Sequence, residues 1–172
     1  RRFSAIKHSI GIIGCGMSHL ACILNAKEND EPYVCIFEDD IIIPKPNQVK
    51  NIVNRILAEK AEWDVLLLAG SAWRPHIKEE ENYTQVKRCY CGTGYIVKSS
   101  YYDTLILNIK EGLELLMKTG DRVYSWDAHW IKLQECDKFL LIKPVSIYQK
   151  PDHSDIEQTF VNYTDLMLCD TK

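Results

Sequence analysis

Tyr33-Val34-Cys35-Ile36-Phe37-Glu38-Asp39-Asp40 is the stretch on which the fold turns. Five apolar or aromatic residues run without a break into three carboxylates, the pattern of a buried strand that delivers acidic side chains at its carboxyl end. Open α/β sheets bind their ligands at that end. Three adjacent carboxylates repel one another, so their close approach is tolerable when a cation, or a hydrated end facing solvent, lowers the cost. A hard divalent metal is the simplest such cation. A strand running into a solvated acidic turn is the bland alternative.

Downstream, Pro44 and Pro46 enforce a break, and Asn47 is placed to cap a helix whose Val49, Ile52, Val53, Ile56 and Leu57 follow the i, i+3, i+4 spacing of one buried stripe. Trp63-Asp-Val-Leu-Leu-Leu-Ala-Gly70 reads as a second buried strand, and strand, helix, strand is the order of a parallel crossover. The fold class is therefore α/β with a mostly parallel central sheet flanked by helices. Residues 71–84, with Pro75 and three glutamates at 79–81, read as a mobile surface loop, either a lid or a plain insertion. Two short strands flank Gly92-Thr93-Gly94. A long helix follows from Ser99 or Ser100, with Tyr102, Leu105, Ile106, Ile109, Leu113 and Leu116 on one face. Ser125 starts a further helix, Phe139–Tyr148 is a strand pair or a strand bent at Pro144, and the tail beyond Thr159 has weak helical periodicity.

Upstream, Gly11, Gly14 and Gly16 do not match a dinucleotide loop and read as close backbone approach, with Ser18 capping a helix over about residues 19–28. The chain of 172 residues suits one domain spanning 1–172. A formal charge of −3 gives no broad attraction for nucleic acid, and no apolar run is long enough to span a bilayer. Seven cysteines, several in apolar or helical settings, favour a reducing, cytoplasmic home, peripheral to a membrane at most. Acceptor sequons at Asn82 and Asn162 would matter in the alternative compartment, the secretory lumen.

Several motifs fall in one order: Gly14-Cys15-x-x-Ser18-His19, Phe37-Glu38-Asp39-Asp40, Cys91-Gly92-Thr93-Gly94-Tyr95-Ile96, Trp126-Asp127, and Gln149 followed by Ser154-Asp155-Ile156. Taken together over roughly residues 11–157 they resemble glycosyltransferase family 25, which contains lipooligosaccharide sugar transferases and collagen galactosyltransferases. The resemblance implies a GT-A fold, a single Rossmann-like domain that uses a UDP-sugar donor and Mn²⁺ or Mg²⁺. It places Glu38, Asp39 and Asp40 at the metal, with Asp40 the best ligand, and makes Asp127 the candidate base. Ser18, His19, Gly92, Thr93, Gly94, Trp126 and Asp155 become candidate substrate contacts. Each has a structural alternative: a helix cap for Ser18, core packing for Trp126, first-turn stabilisation for Asp127. His153, in a polar segment past the last strand, is a candidate fourth metal ligand, or else merely exposed. Family members begin with an apolar strand, and only Arg1–Ile6 precedes the Gly-Cys region, so that first strand is expected to be missing.

Chemistry gives the same set a sense. Breaking a sugar–diphosphate bond develops negative charge that a divalent ion neutralises, and inversion at the anomeric carbon needs a base for the acceptor hydroxyl. The expected activity is an inverting, metal-dependent transfer of a hexose, galactose or glucose, to a hydroxyl of a glycan, lipooligosaccharide or modified protein. The alternatives are a nucleotide-sugar or glycan-binding module of the same fold without turnover, and a metal-dependent phosphoesterase.

Overall fold

The computed structural model describes residues 2–169. In chain order its elements are α1 (Gly11–Glu28), β1 (Tyr33–Phe37), β2 (Ile41–Ile42), α2 (Pro46–Ala58), β3 (Val65–Leu67), β4 (Ser71–Ala72), β5 (Lys78–Glu79), β6 (Tyr83–Gln85), β7 (Cys89–Tyr90), β8 (Gly94–Lys98), α3 (Tyr102–Thr119), α4 (Trp126–His129), α5 (Ile131–Gln134), β9 (Phe139–Ile142), β10 (Tyr148–Gln149), β11 (Asp152–Ser154), β12 (Thr159–Val161) and α6 (Thr164–Leu168). No helix among the described residues is long and apolar enough to cross a membrane.

Six strands make one sheet in the order β1-β8-β3-β9-β6-β5. The sequence predicts a mostly parallel, Rossmann-like sheet, but the sheet is mostly antiparallel. Only β3 and β9 pair in parallel, Val65 opposite Phe139, and the other neighbours run antiparallel. The cause is β8. Strands β1 and β3 run in the same direction, as the strand-helix-strand order requires, yet each pairs with the antiparallel β8 inserted between them. Local apolar pattern marks a strand without marking its direction. β1 is also an edge strand. Ile36 is its one buried residue while Phe37 stays 46% exposed, so the apolar run does not mean burial on both faces here.

Alternation along β3 explains the two cores. Val65 and Leu67 face α1, α3 and Trp130, whereas Leu66 and Leu68 face Ile52 and Ile56 of α2 and Met167 of α6. A strand buried on both faces reads as a continuous apolar run, which is why Val65–Leu68 stood out. The α3 stripe lies inward as its spacing predicts, and the helix ends at Gly120, whose φ of 72° suits a residue without Cβ.

Four local expectations need correction. α1 starts at Gly11, eight residues before the expected start, and Ser18 lies inside it; its hydroxyl donates to the Gly14 carbonyl (2.7 Å) and accepts the Ile6 N–H (2.8 Å). The glycines serve packing within that helix: a Cβ on Gly14 would lie 2.7 Å from the Ile6 carbonyl oxygen, and one on Gly16 would press on Leu113 of α3. α2 begins at Pro46 in the N1 position, so Asn47 is not its cap, and Leu57 at the end of the stripe is exposed. Residues 71–84 form β4 and the β5–β6 hairpin, which adds to the sheet beyond β9. Finally, the polar tail contains the β11–β12 hairpin as well as the short helix α6.

Candidate active site

The three carboxylates occupy the turn between β1 and β2. The Glu38 N–H donates to the Thr93 carbonyl (2.9 Å) and the Ile41 N–H to the Glu38 carbonyl (3.4 Å), closing the turn. Asp39 is exposed. Asp40 is held from the far end of the chain: Gln149 Nε2 donates to its Oδ2 (2.6 Å) and the Lys150 N–H to its carbonyl (2.8 Å), where β10 pairs with β2. Its Oδ1 is buried with no hydrogen-bond partner. Burial pushes the Asp40 carboxyl above its usual range; the Gln149 hydrogen bond opposes this, and the charges of Glu38 and Asp39 add to it.

Glu38 turns inward instead. Its Oε1 lies 3.2 Å from Nε2 of His19 and 3.8 Å from the Cys15 thiol. His19 is 4% exposed and its Nδ1 lies 2.8 Å from the Tyr95 hydroxyl. A carboxylate only accepts, so Nε2 donates to Glu38, and Nδ1 shares a hydrogen bond with the Tyr95 hydroxyl. Burial alone would raise Glu38, but the hydrogen bond and attraction of His19, with Thr93 and Cys15 bonds, hold it below the usual value. Trp126 stacks on His19 at 3.8 Å between ring centroids and is itself buried. Gly92 is required behind it, since a Cβ there would overlap the indole ring. Thr93 is buried, and Gly94 pairs with Phe37 in the sheet.

Asp127 lies in the first turn of α4 and faces this network. Ser125 Oγ donates to Oδ1 (3.1 Å), so the residue at the capping position spends its hydroxyl on a carboxylate rather than on the helix backbone. The Cys91 N–H donates to Oδ2 (3.3 Å) from a left-handed backbone with φ 67°. Burial pushes Asp127 above the usual carboxylate range and the charge of Glu38 pushes it further, against the bonds from Ser125 and the backbone. Burial, with Glu38 and Asp127 nearby, also drives the Cys15 thiol up, so it stays protonated. Tyr163, raised by burial, senses the charges of Glu157, Arg122 and Asp127.

His153 and Asp155 belong to the β11–β12 hairpin, and both are exposed. Its tip is pinned: Ile156 packs on Gly11 of α1, and Arg122 donates to the Glu157 carboxylate (2.7 Å) and the Ile156 carbonyl (2.9 Å). Among the described residues, the group whose potential metal-binding atoms lie within 4.8 Å of one another is Cys15, His19 and Glu38. Asp39, Asp40 and His153 do not join a group of three so tight. The structure thus brings together His19, Glu38, Thr93, Trp126 and Asp127, sets Asp40 beside them with Gln149, and leaves Asp155 and His153 on the hairpin. Sequence reasoning gave no role to Cys15, Tyr95, Gln149 or Tyr163. Cys15, Tyr95 and Gln149 stand in the motifs that carry the family resemblance, but their partners, Glu38, His19 and Asp40, appear only in the fold.

The family model of glycosyltransferase family 25, described as an LPS biosynthesis protein, matches residues 5–119. That span covers two thirds of the 172 residues and contains His19, Glu38, Asp39 and Asp40, while Asp127 and Gln149 fall after it. No curated protein matches the chain.

Proposed function

The chain belongs to glycosyltransferase family 25, and from that premise we propose that it is an inverting hexosyltransferase of GT-A type, moving galactose or glucose from a UDP-sugar to a hydroxyl of a glycan acceptor. One observation carries the reading. Two neighbouring carboxylates have surroundings that push them in opposite directions, Glu38 held ionised and Asp127 raised, which is how acid and base roles are separated within one site.

In the proposed step the acceptor oxygen attacks the anomeric carbon as the bond from that carbon to the diphosphate oxygen breaks. The acceptor proton passes to an Asp127 oxygen, and the nucleoside diphosphate leaves with the electron pair. Ser125 and the Cys91 N–H fix the Asp127 carboxylate in place, and burial raises its basicity. His19, clamped by Tyr95 and Trp126, holds Glu38 in one orientation.

A divalent ion fits the acidic turn. Asp40 has a buried oxygen without a partner and feels the charge of two more carboxylates, and oxygen ligands suit Mn²⁺ or Mg²⁺. Asp40 and Asp39 would hold it, with Glu38 already engaged by His19, and when bound it supplies charge neutralisation for the leaving diphosphate.

Thermal unfolding of the chain with UDP, Mn²⁺, both, or chelator tests the donor site. UDP is expected to raise the midpoint only with metal, because a ligand selective for the native state stabilises it. Asp127→Asn should keep that response and lower transfer by about 10²–10⁴-fold. A variant with full transfer activity removes Asp127 from the mechanism, and turnover-free binding of UDP-sugar by the unaltered chain favours the binding-module alternative.

A further inference from the structure

A cavity of about 150 Å³, bordered by Gly70 and Ile142, lies at the carboxyl ends of β3 and β9. Arg74, His76, Glu79 and Lys143 supply the charge-bearing part of its lining, beside Thr84 and Cys169. The Glu79 carboxylate takes Arg74 Nη2 at 3.6 Å, His76 Nδ1 at 3.1 Å and Lys143 Nζ at 3.3 Å. A single anion therefore faces two permanent cations and an imidazole. Because the carboxylate only accepts, His76 Nδ1 carries a proton. The His76 side chain is 8% exposed, and its Nε2 is buried with no partner. A buried ring nitrogen of this kind calls for a partner, an ordered water or a bound group.

The excess of cations selects an anion. The volume, about half that of the smallest ordinary ligand pockets, admits a single phosphate or carboxylate and not a nucleotide. Its position ties it to the acidic turn: Met167 also lines the cavity, its Sδ accepts the Gln149 N–H (3.4 Å), and the Gln149 side chain holds Asp40. We propose that this cavity is an anion subsite that binds a phosphate or carboxylate group of the acceptor through Arg74 and Lys143, with a ligand hydroxyl or a second ring proton supplying the hydrogen bond at His76 Nε2. The acceptor part of the assignment rests on the glycosyltransferase reading. The donor diphosphate is the other source of the same chemistry, but its charge is to be met by the divalent ion that Asp40 would hold, on the far side of the Gln149–Met167 contact.

The test is titration of the whole chain with inorganic phosphate while the histidine ring resonances are followed by NMR, with His8 and His153 as internal controls. The expected result is a saturable shift of the His76 signals, with an apparent Kd about tenfold weaker in the Arg74→Gln/Lys143→Gln variant. Both substituted side chains are substantially exposed, so the fold should survive. No saturable shift, or an equal shift in the variant, overturns the site. UDP added with chelator should leave the His76 signals in place, and a UDP-induced shift like that of phosphate overturns the acceptor assignment in favour of the donor. In transfer assays the variant should raise KM about tenfold for an acceptor bearing phosphate or carboxylate, with kcat unchanged and a matched neutral acceptor unaffected. Equal losses for both acceptors overturn the assignment. If no acceptor is used at all, the glycosyltransferase reading fails and the acceptor assignment with it, whereas the phosphate titration still decides the site.

Discussion

Glu38, Asp40 and Asp127 differ in what protonation does to them. Asp40 and Asp127 are raised in the folded state, so each contributes stability that is fully present below the unfolded aspartate value of about 3.9 and is lost as pH rises through its raised value. Glu38 is lowered, so its contribution is present above about 4.3 and is lost as pH falls through its folded value. With Asp127 as base, kcat should fall with decreasing pH, its acid limb lying above the ordinary carboxylate range, as a pH–rate profile would record. Asp40→Asn keeps an acceptor for Gln149 and removes repulsion from Glu38 and Asp39. In chelator at pH 7 it should stabilise the fold by about 1 kcal/mol, the gain vanishing towards pH 3, as urea denaturation at both values would show. The acidic turn was legible because three carboxylates follow an apolar run. Gln149 stood in the family-like pattern, but its contact with Asp40 was not legible, since it joins residues 109 positions apart.

Among the elements, the α2 and α3 helices were readable from periodicity, because each lays a single stripe on a sheet face. The start of α1 was hidden because its glycines, read as points of close backbone approach, have low helix propensity; the close approach is there, but inside the helix. The β11–β12 hairpin was missed for a related reason. Its strands are short and largely exposed, so they carry no apolar alternation, and the Arg122 clamp that holds the tip is a tertiary contact. Gly92 makes the cost of such a contact measurable. Gly92→Ala drives a methyl into the Trp126 ring and should cost about 1–3 kcal/mol. Since Trp126 precedes Asp127 and stacks on His19, transfer should drop along with stability, which denaturation and activity assays on the same variant would separate from a purely local effect.

Over the whole molecule, the sheet joins two cores, one beneath α1 and α3 and one beneath α2 and α6. The central strands β3, β8 and β9 are bounded on both sides by neighbours, whereas β1 and β5 are edges. Native-state hydrogen exchange should therefore be slowest in β3, β8 and β9 and fastest in β5, whose two residues are exposed; uniform protection across the sheet would contradict that ranking. The α/β class was legible from alternating strands and helices, and the strand directions were not, because β8 enters between β1 and β3 by a route that no local pattern encodes. The pairing of β10 with β2 has one more consequence. Asp40 is secured by Gln149, 109 residues further along the chain, and Gln149 is braced in turn by Met167. The acidic turn stays unsecured until that later segment has been made and folds back onto it, so the Asp40 end of the site is completed by one long-range closure.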